Sequence, residues 1–410
     1  MKKNVAGSPL WLQTMKNLSS EKAFKENNLV YSPLSIYTAL GLLTSGSKGE
    51  TCNQLLGFLK SQDLDSLNKF CSQLMSSLNE TQTQRQLSPL SIANSVWVNE
   101  SCALKPKFQE VADSVFSAHV QAVDFEHKAD EVTEMVNQWV ETKTNGIIKN
   151  LVQKGSFSEF TMVVLVNALY FKGVWHQGQF DKTLTKNSEF YLPDGQSSVQ
   201  VPFMTSTEEY QYISRQNGFK VLQLPYKLQR QTGSRSCHQY DDEYDPSTRR
   251  FSMYIILPDR RDGLGELIDF SSTDSASFMN QYIPEYMPLK QTGEFKVPKF
   301  KITFKFDAIK VLNDMGLVLP FSSEAELTEM VGTSGSISKV IHKCFVEVDE
   351  EGTEGASATL IEFEECSMGG DPPSPPPVED FVADHPFMFI IKDDFTGVLL
   401  FTGYVLNPLL

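Results

Sequence analysis

The run TMVVLVNALYFKG, Thr161 to Gly173, is nearly continuously apolar and stops at a glycine. A stretch this short and this hydrophobic, without polar alternation, suits a strand buried on both faces. Upstream the pattern is helical. Phe108, Val111, Val115 and Phe116 recur at helical spacing after Pro106, as do Val132, Met135, Val136, Trp139 and Val140. Asn145-Gly146 supplies a stop for the second of these helices. Downstream the pattern favours strands at 219–226, 251–258, 295–306 and 344–348, and FMFII and VLLFTGYV, joined by KDDFTG, read as a hairpin. A mostly helical first third followed by strands with long excursions predicts an α+β protein with a large sheet. No internal repeat and no clean linker divides the chain, which is expected to be one domain over 1–410. The polar stretch 229–250 reads as a surface insertion.

Composition narrows the function. With 40% hydrophobic residues the chain can build a large core. The net charge of -15, spread over short acidic clusters, argues against nucleic acid as a partner, because phosphate backbones are held by clustered Lys and Arg. No apolar run is long enough to span a membrane, and MKKNVAGSPLWLQTMKNLSS lacks the apolar core of a signal peptide. Cytoplasmic or nuclear residence is therefore expected. The six scattered cysteines, with no CxxC, are expected to be reduced thiols, and without secretion the sequons at Asn17, Asn79 and Asn99 carry no meaning.

Catalytic signatures are missing. No histidine sits in HExxH or another metal spacing, so no metal or cofactor is expected. In GLLTSGSKGET the lysine lies between the glycines instead of after the second, and GTSGS does not form a G-x-S-x-G elbow. An enzyme is not expected.

The segment after the strand KCFVEV reads DEEGTEGASATLIEFEECSMGGDPPSPPP, Asp349 to Pro377. It has too few large apolar groups to bury itself, yet Thr353, Ala356, Ala358 and Thr359 are not strand breakers. Gly352 can absorb a backbone swing, and the small residues 355–358 would fit between strands with little displacement of a core. The physical reading is a strand kept out of its sheet.

Over nearly its whole length the sequence resembles the serpins. The blocks that carry the likeness are NLVYSPLSIYTALGLLTSGSKGET (28–51), VNALYFKGVW (166–175), VPKFKITF (297–304), VIHKCFVEVDEEGTEGASA (340–358) and DFVADHPFMFIIKDDFTGVLLFTGYVLNPL (380–409). The DFVADHPF block makes it most similar to plant serpins. The resemblance implies about nine helices around three β-sheets with an exposed reactive-centre loop at about 350–380. It also implies a suicide mechanism: a protease cleaves the loop, is held as an acyl-enzyme, and is dragged across as the loop inserts. The nucleophile belongs to the target, a serine or papain-like cysteine endopeptidase. The other reading is a non-inhibitory serpin that binds, stores or chaperones.

By this resemblance Glu350, Glu351, Gly352, Thr353, Glu354, Gly355, Ala356, Ser357 and Ala358 form the hinge. Counting forward from Glu350 places the reactive bond at Cys366-Ser367, while counting back from DFVADHPF moves it toward Met368–Gly370. Ser32, Pro33 and Ser35, with Asn167 and His342, match the family's shutter, a polar cluster under the sheet. Trp175 matches the breach where the loop goes in, and Lys299 with Glu350 matches an ion pair there, worth under about 1 kcal/mol if exposed. His385-Pro386-Phe387 reads as structural. TQTQRQLSPLS near 80–92 lacks a basic face, so no glycosaminoglycan is expected, and the protein is expected to be a monomer without nucleic-acid or membrane partners.

Overall fold

The computed structural model describes residues 10–21, 26–79, 90–171, 173–176, 179–227, 250–284, 287–333, 335–352 and 378–410. In chain order the elements begin with α1 (Leu10–Ser20), β1 (Leu29–Tyr31), α2 (Pro33–Ser45), α3 (Gly49–Phe58), α4 (Leu64–Asn79), β2 (Leu90–Asn99), α5 (Pro106–Phe116), β3 (His119–Val123), α6 (Phe125–Lys143) and β4 (Val163–Phe171). Then come β5 (Lys186–Tyr191), β6 (Ser198–Met204), β7 (Tyr210–Arg215), β8 (Phe219–Pro225), β9 (Phe251–Pro258), α7 (Leu264–Thr273), α8 (Ser275–Tyr282) and β10 (Leu289–Gln291). The last are β11 (Phe295–Pro298), β12 (Phe300–Asp307), α9 (Ala308–Asp314), β13 (Ile337–Val348), β14 (Phe381–Val382), β15 (Phe387–Asp393) and β16 (Leu399–Val405). Among the described residues there are thus nine α-helices and three sheets, as expected. The sheets run β1-β16-β15-β9-β8-β7-β10, β14-β11-β6-β5 and β12-β13-β4-β2-β3.

The chain forms two compact units: Met1–Leu29 with Lys172–Ile302 and Glu347–Leu410, and Val30–Phe171 with Thr303–Val346. In the second unit, β4 is buried at every position, as its apolar run predicts. One face, Val164, Val166 and Ala168, packs on α6 through Val132, Val136 and Val140, which fall on one helical stripe. Asp124 caps α6 by accepting from His127 N–H, and the helix stops at Asn145-Gly146, both at positive φ. α2 starts where Ser32 accepts the Ser35 N–H and Pro33 occupies the first turn.

In the first unit the terminal hairpin forms as the sequence predicts. β15 and β16 are buried throughout, and the turn closes where Gly397, at φ +77, donates to Asp393 O. His385 bridges Asp384 Oδ1 and Pro258 O, both at 2.7 Å, which ties the chain ahead of β15.

Three expectations change. The first third also holds β2 and β3, so it is not simply helical. β5, β6 and β7 lie where no strand is expected. The single strand expected at 295–306 is broken at Lys299 into β11 and β12, which belong to different sheets. The break has a local cause: Lys299 N–H still donates to Pro202 O at 2.9 Å, one step on in the β11–β6 register, but Pro202 has no N–H to return the bond, and the pairing ends there. Only Arg250 of the 229–250 insertion lies within the described residues.

Candidate functional site: a buried polar row and a charged strand end

The register of the five-stranded sheet aligns three polar side chains. Asn94 on β2 pairs with Asn167 on β4, and Asn167 pairs with His342 on β13. Because side chains alternate, all three stand on one face of the sheet, with Phe306 of β12 against the imidazole at 5.4 Å. All three are nearly inaccessible, His342 at 1%. The N-terminal turn of α2 meets this row.

The hydrogen bonds fix the protonation state. Ser32 N–H donates to His342 Nε2 at 3.0 Å, so Nε2 carries the lone pair. Nδ1 therefore carries the proton and donates to Asn167 Oδ1 at 2.9 Å. Asn167 Nδ2 is then left to donate to Asn94 Oδ1 and, more weakly, to Ser35 O at 3.4 Å. Asn94 Nδ2 reaches Thr38 Oγ1 at 3.5 Å, and Thr38 Oγ1 returns to Ser35 O at 3.0 Å. A second proton on His342 would point N–H at N–H, and burial alone opposes the charge; the histidine pKa falls from 6.5 to about 3. Cys344 Sγ lies 3.1 Å from Nε2, and burial pushes this thiol far above its usual range. It is an inert neutral neighbour, not a nucleophile.

Of the residues singled out from the sequence, Ser32, Pro33, Ser35, Asn167 and His342 are thus gathered in one place. Asn94, Thr38 and Cys344 were not foreseen there. β4 and β13 pair in parallel directly over this cluster, from Ile337↔Val163 to Phe345↔Tyr170.

The other residues lie around the end of β13 in the first unit. Asp349 and Gly352 exchange backbone hydrogen bonds of 3.2 and 3.3 Å, so the chain begins to reverse. Gly352 has φ +107 and forms a bridge with Val174; a Cβ there would lie 2.3 Å from Gly173 O and 2.7 Å from Trp175 N. Only glycine fits. Trp175 is buried, stacks on Tyr226 at 4.4 Å, and donates Nε1–H to Asp349 O at 2.7 Å. Lys299, at the junction of β11 and β12, places Nζ 2.7 Å from Glu350 Oε2, and Thr185 Oγ1 donates to Glu350 Oε1 at 2.7 Å.

This pair is not an exposed one, since the Glu350 side chain is 4% exposed and Lys299 33%. Burial raises the Glu350 pKa, but the Lys299 and Thr185 hydrogen bonds outweigh it and leave the carboxyl below its usual value. Glu351 faces Lys182 at 3.6 Å. Thr353, Glu354, Gly355, Ala356, Ser357, Ala358, Cys366 and Ser367 lie outside the described residues.

This architecture is that of a serpin. The family model described as "Serpin (serine protease inhibitor)" matches residues 8–408, and the chain belongs to that family. It is similar to plant members: Serpin-Z2A of Triticum aestivum is 44% identical over 397 residues, which cover 96% of this chain and 93% of that protein. Serpin-ZX of Arabidopsis thaliana is 40% identical over 392 residues, covering 94% and 93%. Among solved structures, Arabidopsis AtSerpin1 in its native stressed conformation aligns with a TM-score of 0.82 at 37% identity over 98% of each chain. Uncleaved ovalbumin aligns at 0.77 and 26%, over 99% of each.

Proposed function

We propose that this serpin acts as one domain and inhibits a serine or papain-like cysteine endopeptidase by cleavage, acyl-enzyme capture and loop insertion. The observation that carries the reading is the turn at Asp349–Gly352. Its paired backbone hydrogen bonds start a hairpin off the end of β13. Continued as a strand, that hairpin sets residue 353 across from Val348, whose side chain is buried, and sets 355 and 357 across from Val346 and Cys344, both buried. The sequence supplies Thr353, Gly355 and Ser357 at those inward positions, the small groups that a closed sheet can admit. To accept the strand, β4 and β13 must part over the His342 row. Hinge, shutter, breach and the Cys366-Ser367 bond are thereby given roles in one motion, while the nucleophile comes from the protease. The expected setting is the cytoplasm or nucleus, in keeping with the free thiols Cys71, Cys102 and Cys344 buried in the fold.

Incubation with a panel of serine and papain-like proteases, read as complexes stable in SDS, tests the reading. A covalent complex is expected, releasing a fragment that begins at Ser367. A fragment beginning at Gly369 or later would move the reactive bond. Thr353→Arg, which would force a charged group between packed strands, should turn the inhibitor into a cleaved substrate. Complete absence of complexes across the panel would overturn inhibition in favour of a binding or storage role.

A further inference from the structure

On the sheet face opposite the His342 row, β12 and β13 present lysines. Three contacts fix how these strands oppose each other. Lys301 Nζ lies 3.3 Å from Glu347 Oε2, the Phe306 and His342 rings are 5.4 Å apart, and Asp307 Oδ1 accepts Val340 N–H at 3.2 Å. Partner numbers fall as β12 numbers rise, so the strands are antiparallel. One step from Phe306 and His342, Lys305 stands directly across from Lys343. Like charges in that position destabilise a sheet.

The neighbouring groups do not resolve the conflict. Burial first, and then Lys339, push the Lys305 pKa down, with Asp307 opposing; burial and then Lys305 do the same to Lys343. Asp307 Oδ1 is already engaged by the N–H groups of Ile309 and Val340, where it caps α9, and Glu347 is engaged by Lys301. Lys343 Nζ donates to Lys149 O at 2.9 Å, so the chain that follows α6 forms one wall beside the lysines. Lys305, Lys339 and Lys343 therefore share one face, Lys339 in register with Val164 and Lys343 with Ala168, in a protein of net charge -15 and without one carboxylate for each.

We propose that Lys305, Lys339 and Lys343 form a binding site for a small dianionic oxyanion of the phosphate type. Opposed side chains in an antiparallel pair start about 5 Å apart, so a single tetrahedral anion can be bridged by two flexible ammonium groups and approached by a third. A dianion there replaces the Lys305–Lys343 repulsion with charge-assisted hydrogen bonds. The site suits a small anion and not a polyanion: along this face of β12 and β13 the next opposed pairs are Thr303 with Phe345 and the Lys301–Glu347 ion pair, so no basic track continues.

Melting of the intact protein in millimolar inorganic phosphate, against chloride at matched ionic strength, is the test. The midpoint should rise saturably by about 1–3 °C in phosphate, and the phosphorus resonance of added phosphate should broaden. Lys305→Gln, an exposed substitution, should raise the midpoint slightly without phosphate, by relieving repulsion, and should abolish both phosphate responses. Lys339→Gln should weaken them. A shift that chloride reproduces, or one that persists with its broadening in Lys305→Gln, would overturn the site.

Discussion

His342, midway along β13, and Glu350, two residues past its end, are both polar groups withdrawn from water, and each meets the cost differently. His342 is kept neutral. Its two ring nitrogens are fully used, one donating and one accepting, in a row that crosses three strands and joins the cap of α2. Glu350 is kept charged, with an ammonium and a hydroxyl on its two oxygens, and the ammonium is one-third exposed. A neutral network in a dry setting is strong where its members are satisfied, as His342, Asn167 and Asn94 are, and it fails as a unit; the buried Ser35 Oγ beside them finds no partner among the described residues. A charge pair near the surface is locally strong but screened by salt. Under the proposed insertion mechanism, in which β13 must hold β4 and later release it, the two would serve differently: a cooperative latch in the middle of the strand and a weaker one at its end.

The largest contrast should appear on acidification. The folded His342 pKa of about 3 lies below the ordinary value of 6.5, so between those values the unfolded chain binds the extra proton. Stability is then complete above pH 6.5 and falls as the pH drops, by roughly 4 kcal/mol when pH 3 is reached. Denaturant midpoints measured from pH 7 to pH 4 should fall steadily, and His342→Gln should remove most of that slope at the price of a lower midpoint at pH 7. A wild-type slope unchanged in the variant would show that another group governs acid sensitivity.

Asn94 tests whether the row acts as a unit. Asn94→Leu strips Asn167 Nδ2 of its nearest acceptor and leaves a buried donor with only the long contact to Ser35 O. A loss of about 1–3 kcal/mol is expected. Under the proposed mechanism the sheet would part more readily over a broken row, so spontaneous loop insertion on gentle heating should also quicken. A variant as stable as wild type would remove Asn94 from the latch.

That residue also shows how far the sequence could be read. The apolar run at 163–171 announced its strand because both of its faces are covered, and the terminal hairpin announced itself through KDDFTG. β2, LSIANSVWVN, stayed hidden because Asn94 and Ser95 interrupt its hydrophobicity; they are paid for by partners on other strands, which no local pattern displays. β5, with only Phe190 fully buried, has too little burial to leave a signal. At the candidate site, family likeness identified Ser32, Asn167, His342 and the Lys299–Glu350 pair. It did not indicate the burial of Glu350, whose carboxylate is met by Lys299 and Thr185 from separate stretches of the folded chain. The register that carries Asn94 into the row is likewise a property of the folded sheet alone.

Gly352→Ala should have an intermediate effect. Positive φ and a Cβ at 2.3 Å from Gly173 O cannot both be accommodated, so the Val174 bridge should open. Strain of about 1–3 kcal/mol is expected, confined to the strand end. Limited proteolysis should then cut near 349–352 in the variant before the wild type, with the midpoint of the whole molecule little changed. Equal cleavage of the two proteins would mean that the turn is looser than its geometry indicates.

The smallest effect, and the sharpest test of the contrast, belongs to the Lys299–Glu350 pair. A double-mutant cycle with Lys299→Met and Glu350→Gln should give a coupling of about 1 kcal/mol, discounted for the exposure of Lys299 and shrinking as salt rises. Its pH window differs from that of His342. The folded Glu350 carboxyl titrates below its ordinary value of 4.5, so its contribution is present above pH 4.5 and is lost only as the pH falls through the depressed folded value. Between pH 6.5 and 4.5 only the His342 row should respond; below 4.5 both should. The cycle repeated at pH 7, 5.5 and 4 should therefore return the same coupling at the first two and a smaller one only at the third, while the wild-type midpoint already falls between pH 7 and 5.5. If the coupling collapsed by pH 5.5, the Glu350 carboxylate would not be held by Lys299 and Thr185 as the geometry indicates, and the division between a neutral latch and a charged one would fail.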